Sequence, residues 1–162
     1  MTNPVKILRA LPPEIGKMLR VQYARAFLDT QKKYFGERIR DVLLPEYNGY
    51  LWDCVANPQI IRSDIFFQEL RGHGHIIVMA DCHPTKRKQT EISFRLLSGE
   101  IFSANAIDLI TSLNQLPEDL YFFDEEMQWT LIITHEYVDD ARWCIRAKCI
   151  STMEVSSNPG PP

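Results

Sequence analysis

Glycine is scarce in this chain, with seven residues in 162. That leaves little material for backbone loops that cradle phosphates, and neither a GxGxxG nor a P-loop pattern occurs. A GxSxG elbow and an HExxH helix are also missing, which removes two common hydrolase signatures. Cysteine is limited to Cys54, Cys82, Cys144 and Cys149, with no CxxC pair. On one strand Cys144 and Cys149 would project from opposite faces, so they cannot bridge each other. With no export signal, all four read as reduced. No apolar run approaches the roughly 20 residues that a membrane helix requires. Residues 1–9 lack the apolar stretch of a secretory signal. These absences predict a cytoplasmic protein without membrane contact.

Charge is present but unevenly placed. Residues 1–45 hold nine Lys and Arg against four Asp and Glu, a balance of +5, although the whole chain carries −3. Residues 118–140 hold eight acidic side chains and no Lys or Arg: Glu118, Asp119, Asp124, Glu125, Glu126, Glu136, Asp139 and Asp140. Such separation steers a basic partner to one side of a protein and repels nucleic-acid phosphate there. The N-terminal cations fall mostly on the polar face of an amphipathic helix, so solvated charge explains them without nucleic acid.

Pro13 and Glu14 suit the first turn of that helix. Ile15, Met18, Leu19, Tyr23, Ala26 and Phe27 recur at three- and four-residue spacing, and the pattern runs past Gly36 to Pro45. A second helix is expected over about residues 59–71, and Trp52 between them should cover the core edge. The period then changes. Residues 76–80 and 92–96 read as two strands of a hairpin around the polar loop 84–89. Ser103 suits the N-cap of a helix that stops at Pro117. Residues 120–123 and 129–137 read as strands around an acidic turn, and a final strand follows Asp139-Asp140. On it Trp143, Ile145, Ala147 and Cys149 face inward, while Arg146 and Lys148 face outward, within reach of Glu136.

The pattern therefore predicts an α+β domain over residues 1–155. Two N-terminal helices pack on a mainly antiparallel sheet of about five strands, with one further helix between strands. Residues 156–162 read as a disordered tail. Strand order and oligomeric state are not fixed by such a pattern.

Two constellations bear on chemistry. His73, His75, Cys82 and His83 are good zinc-ligand types, but the pairs bracket one strand. At about 3.3 Å per residue they lie more than about 20 Å apart. Loop histidines at two strand ends are the simpler reading, so no metal site, cofactor or catalytic residue is assigned. A small metal-dependent hydrolase built on these four is kept as the alternative. His135 and Glu136 are adjacent on a strand and face opposite sides, so they form no dyad. Asp81 could meet His135 if their strands were neighbours. The second constellation is aromatic: Tyr121, Phe122, Phe123, Trp129, Tyr137 and Trp143 cluster around the acidic turns, the composition of a hot-spot surface for a basic protein.

The segments Tyr121-Phe122-Phe123-Asp124 and Trp129-Thr130-Leu131-Ile132-Ile133-Thr134-His135-Glu136 resemble stretches of small bacterial α+β proteins. Some of those are similar to immunity proteins encoded beside polymorphic toxins. The resemblance covers about residues 120–145 and implies a protein that binds a toxin domain and blocks its active site, without catalysis of its own. It transfers no binding residues. From the charge pattern alone, Tyr121, Asp124, Glu125, Glu126, Tyr137, Asp139 and Asp140 are expected to engage a basic protein partner. A structural subunit of a larger assembly is a third reading.

Overall fold

The computed structural model describes residues 7–83 and 90–151. The polar loop 84–89 and the tail 156–162 lie outside them. The described chain runs β1 (Arg9–Ala10), α1 (Pro13–Phe27), a π-helical turn (Phe35–Ile39), a 3-10 turn (Leu51–Cys54), β2 (Gln59–Ile61), α2 (Ser63–Gly72) and β3 (His75–Met79). It continues with α3 (Glu91–Leu97), β4 (Phe102–Asn105), α4 (Ala106–Ile110), a second 3-10 turn (Leu113–Gln115), β5 (Leu120–Phe123), β6 (Trp129–Val138) and β7 (Ala141–Lys148).

The strands form one seven-stranded sheet in the order β1-β4-β3-β5-β6-β7-β2, and every neighbouring pair is antiparallel. The fold is α+β, as expected, with more strands than the pattern suggested. Both faces of the sheet are covered. Ile77, Met79, Tyr121, Phe123, Ile132, Ile145 and Ala147 pack under α1 and the irregular segment that follows it. Their strand neighbours Ile76, Val78, Leu120, Phe122, Leu131, Ile133 and Cys144 pack under α2, α3 and α4. Double burial explains the unbroken apolar run at residues 76–80, because both sets of side chains need apolar company. Each large side chain so buried contributes roughly 1.5–3 kcal/mol of transfer free energy.

Four local expectations change. Residues 92–96 are helical, so β3 pairs with β4 and β5 instead. A five-residue apolar window fits both periods, and the cap decides: Thr90 Oγ1 accepts the Ser93 N–H at 3.2 Å. Ser103 lies in β4, and the following helix starts at Ala106, capped by Asn105 Oδ1 accepting from the Ile107 N–H. Residues 59–61 are an edge strand on β7 before α2 begins at Ser63. Helix α1 stops at Phe27, where Leu28 turns extended and bridges Val55. Trp52 is buried, as anticipated, and none of the four cysteines is in a disulfide. Among the described residues no helix is long and apolar enough to cross a membrane.

Candidate functional site

Beyond its last apolar residue β3 delivers Asp81 into the core, where it is 1% exposed. An isolated buried carboxylate is costly, so it must be hydrogen-bonded. Asp81 Oδ1 accepts the Tyr47 hydroxyl and the Leu51 N–H, both at 3.0 Å, and Oδ2 accepts the Tyr121 hydroxyl at 2.7 Å. Burial pushes the carboxyl up to about 6, against the pull of the Tyr121 and Leu51 hydrogen bonds. Burial and then the Asp81 charge hold the Tyr47 and Tyr121 phenols well above their ordinary range. The Trp52 N–H donates to the Tyr121 oxygen at 3.0 Å. The cluster thus pins residues 47–52 to the sheet, and its near-complete burial suits a structural centre.

His135 does not meet Asp81, because β5 separates their strands. It meets Asp119 instead, at the start of β5: Nδ1 lies 3.0 Å from both carboxylate oxygens, and the His135 N–H donates to Oδ1 at 3.0 Å. This contact depends on an irregularity in β6. Between the pairs Ile133–Cys144 and Tyr137–Arg142, three residues of β6 face one of β7. The bulge is satisfied by side chains. Thr134 Oγ1 donates to the Trp143 carbonyl at 2.9 Å, and Arg142 donates to the carbonyls of Thr134 at 2.7 Å and Glu118 at 2.6 Å. The His135 ring packs beside Tyr50 and Trp52, with centroids 4.9 and 6.2 Å away. Its Nε2 lies 3.4 Å from Glu136 Oε1. The adjacent pair ruled out from strand alternation therefore does make contact, because the bulge breaks the alternation. With carboxylates at both nitrogens, the imidazole is arranged as a clamp at the base of a hairpin.

That hairpin projects. The pairing of β5 with β6 ends at Leu120–Ile133, and that of β2 with β7 ends at Ile61–Cys144, in the same row of the sheet. Residues 134–143 continue as a two-stranded arm with no strand on either side among the described residues. Its tip exposes Tyr137 (63%) and Val138 (53%), with Glu136, Asp139 and Asp140 around them. Asp139 and Asp140 both take left-handed backbone angles, φ 49° and 61°, as a two-residue hairpin turn requires.

The structure divides the expected binding set. Tyr121 is a core residue bonded to Asp81 and presents nothing to solvent, a correction forced by the burial of both sheet faces. Asp124, Glu125 and Glu126 occupy the β5–β6 turn, whereas Tyr137, Asp139 and Asp140 lie at the opposite end of β6. Ten residues of strand put the two groups roughly 30 Å apart, so they form two surfaces. Asp124 Oδ1 accepts the Gln128 N–H at 2.7 Å, which gives the first turn a local structural role. Arg146 pairs with Glu69 and with Gln59 rather than with Glu136, since its cross-strand row is that of Leu131.

The four residues of the metal alternative do not converge. His73 stacks on Trp129 with centroids 3.6 Å apart, and burial lowers its pKa. His75 is exposed, 3.8 Å from Glu125. At the other end of β3, Cys82 is buried and His83 Nε2 lies 2.6 Å from the Gly49 carbonyl oxygen. Among the described residues no group of three or more His, Cys, Asp or Glu side chains is placed to hold a metal ion.

Asp119 is absent from the expected set. The hairpin spacing alone could have found it, since a register that pairs Leu120 with Ile133 sets Asp119 across from Thr134. Tyr47 and Tyr50 carry no such local signal. The chain matches no protein-family model, no curated protein and no solved structure.

Proposed function

We propose that this protein is a non-catalytic binding module that engages a basic protein through the β6–β7 arm. Tyr137 is the anchor, and Glu136, Asp139 and Asp140 are the charged rim. One observation carries the reading: a rigidly based hairpin runs past both neighbouring strands and ends in exposed aromatic and acidic side chains. An aromatic anchor ringed by carboxylates suits a partner rich in Lys and Arg, with the charges setting association rate and specificity. In its finer form the partner is a toxin domain and the protein its immunity factor, which follows from the C-terminal resemblance.

The turn sequence supplies the test. Two left-handed aspartates are a poor choice for folding alone, because Asn-Gly fits this turn with less strain. The double variant Asp139→Asn, Asp140→Gly should therefore gain about 1 kcal/mol of stability while losing both tip charges. The partner is first captured from host lysate at low salt and identified. Its affinity is then measured for the wild type, for this variant, for Tyr137→Ala, and for Glu125→Gln with Glu126→Gln as a distal control. Loss in the two arm variants alone is expected. Wild-type affinity in both arm variants refutes the proposal.

A further inference from the structure

Arg20, on α1, is 3% exposed. A buried guanidinium requires a counter-charge and partners for its donors. Nη2 donates to the Ala80 carbonyl at 3.1 Å and the Gly99 carbonyl at 3.4 Å. Nη1 is closed to solvent and has no hydrogen-bond partner among the described residues. No carboxylate forms an ion pair with Arg20 among the described residues. Asp81, next in sequence to Ala80, has its oxygens engaged by Tyr47, Leu51 and Tyr121. A buried cation held only by carbonyl dipoles is an unusual arrangement, and it calls for a specific explanation.

The surroundings offer one. Arg20 forms part of the wall of a cleft of about 560 Å³ between α1, residues 42–45 and the α3–β4 turn. That size lies within the range of small-molecule sites. Val42, Leu43, Leu44 and Ile101 supply apolar wall, and Lys17, in an exposed ion pair with Glu14 at 3.4 Å, adds a second cation. Leu43 is 45% exposed, so apolar surface of the cleft faces water. Arg95, which also lines the cleft, is already engaged by Glu100 and does not compete for an anion. At Gly99, φ is +93°, and an added Cβ would meet Cys82 Sγ at 3.1 Å, so glycine is needed where the turn brings its carbonyl to Arg20.

We propose that this cleft binds a small monocarboxylate with an apolar body, its head group at the wall formed by Arg20 and Lys17 and its tail against Leu43, Leu44 and Ile101. The carboxylate provides the missing counter-charge through space, since Nη1 itself is closed to solvent. The apolar walls select a hydrocarbon tail over a bare inorganic anion. This site is separate from the arm and does not rest on the reading given to it.

The test is calorimetric titration of the full chain with sodium octanoate, and with octanol, acetate and inorganic phosphate in parallel. One saturable octanoate site is expected, with each comparison compound about ten-fold weaker or worse. Arg20→Met should abolish it. That change also removes the donors to Ala80 and Gly99 and threatens the fold, so the decisive variant is Lys17→Glu with Leu43→Asp, both at exposed positions. It should melt as the wild type does and bind octanoate about ten-fold more weakly. Absence of saturable binding, octanol equal to octanoate, or an unaffected folded double variant would each overturn the carboxylate site. Phosphate equal to octanoate would overturn the apolar-body assignment.

Discussion

Replacing Asp81 by asparagine tests whether burial or hydrogen bonding dominates at the centre of the fold. The Asp81 carboxyl accepts three hydrogen bonds, which favour the anion, yet its burial prevails and moves it from 3.8 to about 6. That displacement corresponds to about 3 kcal/mol. Because the folded value lies above the unfolded one, the protonated form is the one the fold prefers. The contribution is fully present below about pH 4 and is lost as pH rises through about 6. In the Asp81→Asn variant the amide retains an oxygen for Tyr47 and Leu51, offers an N–H to the Tyr121 oxygen and does not titrate. The assay is urea unfolding of both proteins from about pH 3.5 to about pH 8. Other carboxylates affect both proteins alike and cancel in the difference. Wild-type stability should therefore fall relative to the variant by about 3 kcal/mol across that window. A difference that is flat, or that grows in the wild type's favour as pH rises, would show instead that the fold holds Asp81 as an anion.

Two further outcomes follow from the same geometry. Asp119→Ala removes the acceptor for the His135 N–H and ring, which should cost about 1–2 kcal/mol. Amide hydrogen exchange should accelerate across residues 134–142 more than in β3, and uniform acceleration would count against a clamp role. Burial pushes the Cys54 and Cys144 thiols up to about 12 and about 11 and also raises Cys82. A disulfide reagent should therefore label only the half-buried Cys149 quickly in the native protein, with the remaining thiols reacting on unfolding. Rapid labelling at Cys54 would contradict the packing.

The C-terminal hairpins are legible in the sequence because their information is local. Leu120–Phe123 and Trp129–Val138 are β-rich runs with an acidic turn between them, and Asp139-Asp140 marks the next reversal. The run at 76–80 likewise reads as a strand. Residues 92–96 mislead because five residues of alternating apolar character also fit a helix face, and Thr90 supplies the cap that decides. The edge strands β1 and β2 are two and three residues long; they exist through their pairing with β4 and β7 and carry no period of their own. The eight carboxylates suggest one surface when they are only counted along the chain. The length of β6 reveals that they occupy two ends of the sheet. Asp81 and Arg20 give the least warning, since a charged residue reads as surface until the layers above and below it are placed.

The β6 bulge links the core to the arm. Trp129, Leu131 and Ile133 point toward α2 and α4, and uninterrupted alternation would send His135 the same way. The two extra residues reverse that assignment and bring the imidazole onto Tyr50 and Trp52, in the layer under α1. Trp52 is itself placed by its N–H bond to Tyr121, whose hydroxyl is held by Asp81. A continuous set of contacts therefore runs from the buried carboxylate through Tyr121, Trp52 and His135 to Asp119 and the base of the arm. The arm gains its fixed orientation from this chain of contacts and not from sheet pairing, which ends one row earlier. An exposed two-stranded hairpin without such support is marginal in water. Its anchoring through a bulge filled by Thr134, Arg142 and Asp119 is what gives it a defined surface.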